Sequence, residues 1–201
     1  LYEITVFGAE PHPNYNRIML SPVLAGEQEF SDIVLNDLDW YRDHGISLHT
    51  GKRIVAIDRR NRKVVADDNT EASYDRLLLA TGSTPFIPPL PGNDLQCVIG
   101  YRDIGDTQLM LDTALTHQHA VVVGGGLLGL EAANGLTLRG MQVTVIHKGQ
   151  WLLDRQLDER AGKQLQTALE RRGIRFRLGT PPKQLRGNKG GRVCAVDFND
   201  G

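Results

Sequence analysis

The sequence predicts an α/β protein made of two copies of one unit, each with a three-stranded β-meander insertion, truncated at both ends. Three observations support this prediction: an internal repeat, a glycine-rich turn between an apolar strand and a helix, and an ordinary globular composition. Of the 201 residues, 40% are hydrophobic and 23% are charged, with a formal net charge of -1. Because this charge is close to zero, we expect neither a nucleic acid nor a membrane surface as partner.

The internal repeat sets the order of the elements. Each copy contains a strand, a connection that carries a helix, a second strand and then a meander. The matched segments are 3–7 with 142–146, 44–51 with 172–179, 54–58 with 183–186, and 62–66 with 192–197. The first copy continues into a buried strand over residues 74–80, and the second ends at an Asn-Asp-Gly turn signal over residues 199–201. We therefore expect about one βα unit to be missing in front and at least one strand behind.

A glycine-rich turn begins the second copy. Residues 120–123 form a continuous apolar run, which is typical of a parallel strand buried on both faces. The run leads into Gly-Gly-Gly-Leu-Leu-Gly at 124–129, and a helix is predicted over 130–138 with Gly140 as its C-cap. A strand over 142–146 completes a unit of the size that a dinucleotide-binding βαβ unit requires.

The glycines of this turn have the G-x-G-x-x-G spacing of a phosphate-binding loop. Gly124 would make the tight turn, Gly126 would let the backbone approach a pyrophosphate, and Gly129 would let the helix pack closely on the strand. Leu127 and Leu128 lie within this turn, and the free N–H groups at the N-terminus of the following helix would bind the phosphates. The pattern predicts Rossmann-like dinucleotide-binding units, the second of which takes NAD(P).

In each repeat copy, a residue at the end of the strand that follows the glycine loop and helix is expected to contact the ribose of the nucleotide. An Asp or Glu there favours NAD, whereas this chain has His147 followed by Lys148. A neutral or basic strand end tolerates the 2′-phosphate of NADPH, so both NADH and NADPH are candidate nucleotides. The alternative interpretation is that His147 and Lys148 are solvated strand-end residues without a role in nucleotide choice. In the first copy Glu10 follows strand 3–7 and is placed to accept from the ribose of a second dinucleotide.

Residues 13–26, with Ala-Thr-Gly-Ser at 80–83, resemble the pyridine-nucleotide–disulfide oxidoreductase superfamily. The resemblance extends along the full chain and is closer to the large subunits of assimilatory NAD(P)H nitrite reductases. Tyr-Asn-Arg at 15–17 and Arg-Gln-Leu-Asp at 155–158 are fairly specific to that branch, while the Ala-Thr-Gly loop is common to the superfamily.

The resemblance implies a role for each matching position. FAD would contact Glu10 by its ribose, Arg17 near its phosphates, the Ile54 backbone by its adenine, Ala80, Thr81 and Gly82 along its pyrophosphate, and Arg102 on its flavin side. The nicotinamide nucleotide would lie on Gly124, Gly126, Leu127, Leu128 and Gly129, with Glu131 at its nicotinamide end and His147 near its ribose. No catalytic side chain and no metal ligand is assigned, because hydride passes directly between the two cofactor rings.

Three of these residues also have interpretations without a role in cofactor binding. Arg17 would be a surface cation, Arg102 would pair with Asp103, and Glu131 would only complement the helix dipole. Pro22 stands where ferredoxin-reductase relatives carry Lys, which leaves the flavin environment less defined. A redox-active C-x-x-x-x-C pair does not follow the first helix region, so disulfide reduction is excluded.

The resemblance implies an FAD-dependent NAD(P)H oxidoreductase module that feeds electrons to a nitrite-reducing siroheme and iron–sulfur centre. Two cysteines, Cys97 and Cys194, are too few for those centres, which are expected only in missing parts of the parent chain. We expect an FAD-binding unit over 1–100, an NAD(P)-binding unit over 101–201, a cytoplasmic location, a downstream electron-acceptor domain or protein, and a homodimer. The alternatives are a stand-alone rubredoxin- or ferredoxin-type reductase, a nitrate reductase electron-transfer component, or a non-catalytic nucleotide-binding fragment.

Overall fold

The computed structural model describes residues 2–199 and divides the chain into two compact units. Unit 1 comprises Leu1–Arg17 and Ser31–Ser83, and unit 2 comprises Ile18–Phe30 and Thr84–Gly201. The boundary near residue 100 that we expect between the two nucleotide-binding units stays a prediction. Each unit is described below by itself.

Strands and helices alternate along much of the described chain. In chain order the elements are β1 (Ile4–Phe7), α1 (Leu20–Ala25), α2 (Leu38–Asp43), β2 (Ile46–His49), β3 (Ile54–Asp58), β4 (Lys63–Ala66), β5 (Glu71–Ser73), α3 (Ile104–Thr116), β6 (His119–Val123), α4 (Leu127–Leu138), β7 (Gln142–His147), α5 (Glu159–Glu170), β8 (Arg175–Leu178), β9 (Gln184–Gly187) and β10 (Val193–Asp197). Over residues 2–199, every helix is too short or too polar to cross a lipid bilayer.

Unit 1 contains two small sheets. Strands β1 and β2 pair in parallel, with Ile4 opposite Ile46 and Phe7 opposite His49. Strands β3, β4 and β5 form an antiparallel meander in that order, with a register irregularity between Ile54 and Ala56. The predicted meander of the first repeat copy is therefore present.

The predicted buried strand over residues 74–80 is wrong for the described chain. This segment has neither helix nor strand, and Leu78 and Leu79 are 87% and 65% exposed. A strand forms where a neighbouring strand pairs its N–H and C=O groups. Among the described residues, the parallel sheet of unit 1 consists only of β1 and β2, so the apolar run at 77–79 lacks a paired position in it.

Unit 2 is built on the parallel sheet β6-β7-β8, in that spatial order. Helix α4 packs on this sheet, and α1 and α3 pack on α4. The core comprises fully or nearly buried apolar residues of these elements and their loops: Leu24, Leu130, Ala132, Ala133, Leu136, Met141, Val143, Val145, Leu152, Leu169 and Ile174. The βαβ unit that the glycine motif predicts is thus formed.

Strand β6 is predicted to be buried on both faces, but only one of its faces is buried. Val121 and Val123 are 48% and 44% exposed, whereas Ala120 and Val122 pack against the core. The alternation arises because successive side chains of a strand point to opposite faces, and the core, which includes residues of α4, lies on the face that carries Ala120 and Val122. A continuous apolar run therefore has only its inward half buried here.

The ends of α4 explain its length. The helix begins at Leu127, three residues before its predicted start, since the chain enters helical geometry directly after the N-cap Gly126. It ends at Leu138 with Arg139 as its C-cap, and the predicted cap residue Gly140 follows directly at φ +87°, a left-handed conformation that favours glycine. The Met141 N–H donates to the Leu136 carbonyl at 3.0 Å, which closes the final turn in the manner of a Schellman motif.

The second meander is described as the antiparallel pair β9 and β10. The turn predicted after β10 falls partly on Asp200 and Gly201, which lie outside the described residues.

Candidate functional site

Strand β6 delivers the chain to the glycine loop, residues 124–129. Gly124 has φ +129°, which side chains of L-residues rarely adopt. Its N–H donates to the Ile146 carbonyl at 2.8 Å and so ties the turn to the end of β7. The loop therefore lies at the carboxyl ends of two neighbouring parallel strands, where open α/β sheets bind their ligands.

The second and third glycines of the motif, Gly126 and Gly129, differ in the space around them. A Cβ atom on Gly126 would meet nothing within 4 Å, whereas one on Gly129 would overlap the carbonyl oxygen of Gly124. Gly129 is therefore required by the close contact of α4 with the loop. Gly126 borders open space at the helix N-terminus.

Helix α4 leaves its N-terminus available to a ligand. Its N-cap, Gly126, provides no side-chain hydrogen bond, and Leu127 and Leu128 are 57% and 53% exposed. The first N–H groups of a helix have no acceptor within the helix, and the helix dipole places partial positive charge there. Open space beside Gly126 and these donors fit the pyrophosphate of a dinucleotide.

Gly125 is under a packing constraint that the motif alone does not identify. Gly125 is buried, and a Cβ atom there would lie 2.9 Å from Cγ of His147 and 3.0 Å from Cδ2 of Leu152. The G-x-G-x-x-G pattern accepts any residue at this position. The presence of a glycine between the two motif glycines Gly124 and Gly126 is the sequence signal of this additional constraint.

His147, the last residue of β7, faces the loop. Its Nδ1 accepts a hydrogen bond from the Gly125 N–H at 3.2 Å. Its side chain is 11% exposed, and Nε2 lies 3.5 Å from Oδ1 of Asp154. The expected contact of His147 with a ribose stays a prediction, and the residue has in addition a bond to the loop itself.

Glu10 is the centre of a hydrogen-bonded cluster after β1. Its Oε1 accepts from Nη2 of Arg17 at 2.6 Å, and its Oε2 accepts from the Tyr15 hydroxyl at 2.6 Å. The Arg17 guanidinium also lies over the Tyr15 ring, 4.9 Å from its centroid. Arg17 is therefore an ion-pair partner of Glu10, and two donors orient the carboxylate.

Glu131 lies on α4 in a second cluster. Its Oε2 accepts from the Ser21 hydroxyl at 2.5 Å, and Ser21 Oγ lies 3.1 Å from the Tyr101 hydroxyl. Burial raises the pKa of Tyr101 above its ordinary value; the Ser21 hydrogen bond opposes this shift, and the charge of Glu131 adds to it. Three residues from distant parts of the sequence thus meet on one face of unit 2.

The raised pKa of Tyr101 predicts a stability loss at alkaline pH. Tyr101 keeps its proton more firmly in the folded than in the unfolded state, so its contribution is complete below the unfolded pKa of about 10 and is lost as pH rises through the folded pKa. We expect the free energy of unfolding to fall less between pH 9 and 11 in a Tyr101→Phe variant than in the wild type. Urea unfolding at both pH values measures this difference; equal losses would contradict it.

The other residues predicted to contact FAD lie in separate parts of the structure. Ile54 is the first residue of β3 and is half-buried, while Ala80, Thr81 and Gly82 are exposed in a segment without helix or strand. The Arg102 N–H donates to the Asp106 carboxylate at 2.7 Å, beside the start of α3. The roles of these residues toward FAD stay predictions.

Comparison with known proteins identifies relatives along the full chain. The chain is 48% identical over 200 residues to the nitrite reductase [NAD(P)H] of Bacillus subtilis (strain 168), and the match covers 100% of this chain and 25% of that protein. It is 47% identical over 201 residues to the assimilatory nitrate reductase electron transfer subunit of the same organism, covering 26% of that protein. The chain thus spans about a quarter of the length of these relatives.

Solved structures support the same relationship. The ferredoxin reductase for the CYP199A2 system from Rhodopseudomonas palustris superposes with a TM-score of 0.89 at 26% identity, over 99% of this chain and 49% of that one. This likeness confirms the predicted α/β class with Rossmann-type units. A family model described as pyridine nucleotide-disulphide oxidoreductase matches residues 1–201, and the chain therefore belongs to that family.

Proposed function

We propose that this chain is an NAD(P)H- and FAD-binding oxidoreductase module that feeds electrons to a nitrite-reducing siroheme and iron–sulfur centre. The observation that carries the proposal is the glycine cradle of unit 2, with open space beside Gly126 at the N-terminus of α4. Bound FAD beside a nicotinamide ring supplies the hydride chemistry. The residues of the chain bind and orient the two cofactors.

On the nicotinamide side, the loop and α4 act together. The N–H groups at the start of α4 would hold the pyrophosphate by hydrogen bonds and by the helix dipole. Glu131 lies one turn further along α4 and accepts a hydrogen bond from Ser21. The proposal places it at the nicotinamide end of the nucleotide. Since neither His147 nor Lys148 is a carboxylate, NADH and NADPH both stay open.

On the flavin side, Glu10 supports the proposal. A carboxylate after the second strand of a dinucleotide-binding unit accepts from ribose hydroxyls. The donors of Tyr15 and Arg17 hold the Glu10 carboxylate in one orientation after β1. The guanidinium of Arg17 supplies positive charge close to that position, as diphosphate binding requires.

The relatives support two different final acceptors. The nitrite reductase relative favours a siroheme centre, which needs cysteine ligands beyond the two free cysteines here, Cys97 and Cys194. The nitrate reductase electron transfer subunit, at 47% identity, favours delivery to a nitrate reductase as the second candidate function. Both share the same step of flavin reduction by NAD(P)H. A cytoplasmic location and a homodimer stay predictions.

Anaerobic spectroscopy of the full-length protein tests the proposal. We expect the purified protein to show the visible band of oxidised flavin and to lose it on addition of one equivalent of NADH or NADPH. Return of the band with nitrite supports the siroheme acceptor, and return only with a nitrate reductase and nitrate supports the second candidate. A protein without bound flavin, or with flavin that neither nucleotide bleaches, would overturn both.

A further inference from the structure

We propose that His147 and the segment 148–154 hold the glycine loop in its phosphate-binding conformation, with Asp154 orienting His147. This inference rests on the proposed function, because it concerns how the nucleotide cradle is prepared. It assigns His147 as a positioning residue, and it explains why Gly125 is a glycine.

His147 and the segment 148–154 fix the peptide groups on both sides of Gly125. The Gly125 N–H donates to His147 Nδ1 at 3.2 Å, and the Gly125 carbonyl accepts from the Leu153 N–H at 3.0 Å. In a planar trans peptide the N–H points opposite to the preceding carbonyl. The Gly126 N–H is therefore directed away from Leu153, opposite to the carbonyl that this segment holds.

The bond to Gly125 also fixes the tautomer of His147. A nitrogen that accepts from a backbone N–H carries no proton, so the proton of the neutral ring lies on Nε2. Nε2 lies 3.5 Å from Asp154 Oδ1, too far for a normal hydrogen bond but close enough for the negative charge of the carboxylate to attract the Nε2–H dipole. A Cβ atom on Gly149 would lie 2.7 Å from this Nε2, so the chain has a glycine where it passes the ring.

The segment is itself held in an unusual conformation. Leu153 has φ +54°, a left-handed value that is costly for leucine. Its carbonyl accepts from the N–H groups of Gln156 and Leu157, both at 2.8 Å, and the adjacent Leu152 is fully buried in the core. Strain of this kind persists where the surroundings over-determine it, and it is common beside ligand sites.

Two substitutions at position 147 test the proposal in the full-length protein. His147→Leu removes the acceptor, while His147→Asn keeps an oxygen near the position of Nδ1. We expect His147→Leu to raise the Kd for NADH or NADPH about tenfold, the loss associated with one hydrogen bond to a positioned loop. Its bound FAD content should be unchanged, and His147→Asn should restore most of the affinity. Anaerobic titration of each nucleotide into protein whose flavin has first been reduced chemically, followed by nucleotide fluorescence, measures the Kd without turnover.

Hydrogen exchange at residues 124–129 without nucleotide gives an independent readout. Exchange should be faster in His147→Leu and close to wild type in His147→Asn. If both variants lose affinity equally, or if His147→Leu leaves both loop exchange and Kd unchanged, the proposal is overturned. If the wild type binds neither nucleotide while loop exchange still follows the predicted pattern, the proposed function fails but the role of His147 in ordering the loop stands.

Discussion

Replacing Gly126 by alanine is expected to weaken NAD(P)H binding at least about 100-fold, or about 2.7 kcal/mol, with little change in stability. Gly126 has φ −87° and ψ 179°, which alanine adopts without strain. Its new methyl group would meet nothing within 4 Å in the protein, but it would occupy the space through which a pyrophosphate approaches the backbone. The free energy of unfolding should change by less than about 1 kcal/mol, since only the N-cap preference is altered.

Gly129→Ala is the matched control for this variant. The same methyl group at Gly129 would overlap the Gly124 carbonyl oxygen, so the loop and α4 would have to separate. We expect loss of both nucleotide affinity and stability, with a destabilisation of about 1–3 kcal/mol. Nucleotide titration and urea unfolding of both variants provide the comparison. Wild-type affinity in Gly126→Ala would show that the open space is not the nucleotide cradle.

Local patterns were sufficient to predict the βαβ unit of unit 2. The apolar run before Gly124, the spacing of the glycines and the repeat together predict the strands of this sheet and the helix α4. The structure has β7 at Gln142–His147, one residue longer than expected, and the meander β3-β4-β5 where the repeat predicts it. These features are set by contacts between residues close in sequence, which hydrophobic periodicity and turn residues record directly.

Burial and long-range contacts could not be predicted in the same way. The exposure of Val121, Val123 and the run at 77–79 depends on which element covers each face, and a strand's own sequence does not specify that. The hydrogen bond between Ser21 and Glu131 joins residues 110 positions apart. Such a bond follows from the packing of α1 on α4. The spacing within either segment carries no sign of it.

Leu24→Ala is expected to lower the free energy of unfolding of unit 2 by about 3 kcal/mol. Leu24 lies on α1 and is fully buried, and a Cβ atom on Gly135 of α4 would lie 2.7 Å from its Cγ. The contact between the helices is thus already as close as a glycine allows. Truncation removes apolar contacts and leaves a cavity that the tight helix pair cannot readily fill.

The backbone around Leu24 strengthens this expectation. Arg139 donates through Nε to the Leu24 carbonyl at 2.7 Å and through Nη2 to the Val23 carbonyl at 2.9 Å. These bonds hold the end of α1 in place, so the helix cannot shift to close the cavity without losing them. Urea unfolding measures the change, with Leu115→Ala as control, because Leu115 is 86% exposed and its truncation should cost less than about 0.5 kcal/mol.

A loss in Leu24→Ala no larger than in the Leu115 control would mean that α1 does not stabilise α4. The site would then be affected too, since α1 carries the Ser21 hydroxyl that bonds to Glu131. If α1 and α4 form one packed pair, Ser21→Ala and Leu24→Ala should be coupled, with a double variant whose loss differs from the sum of the single losses by about 0.5 kcal/mol or more. If the losses of unfolding free energy simply add, the contact of Ser21 with Glu131 does not depend on the core packing of α1 against α4.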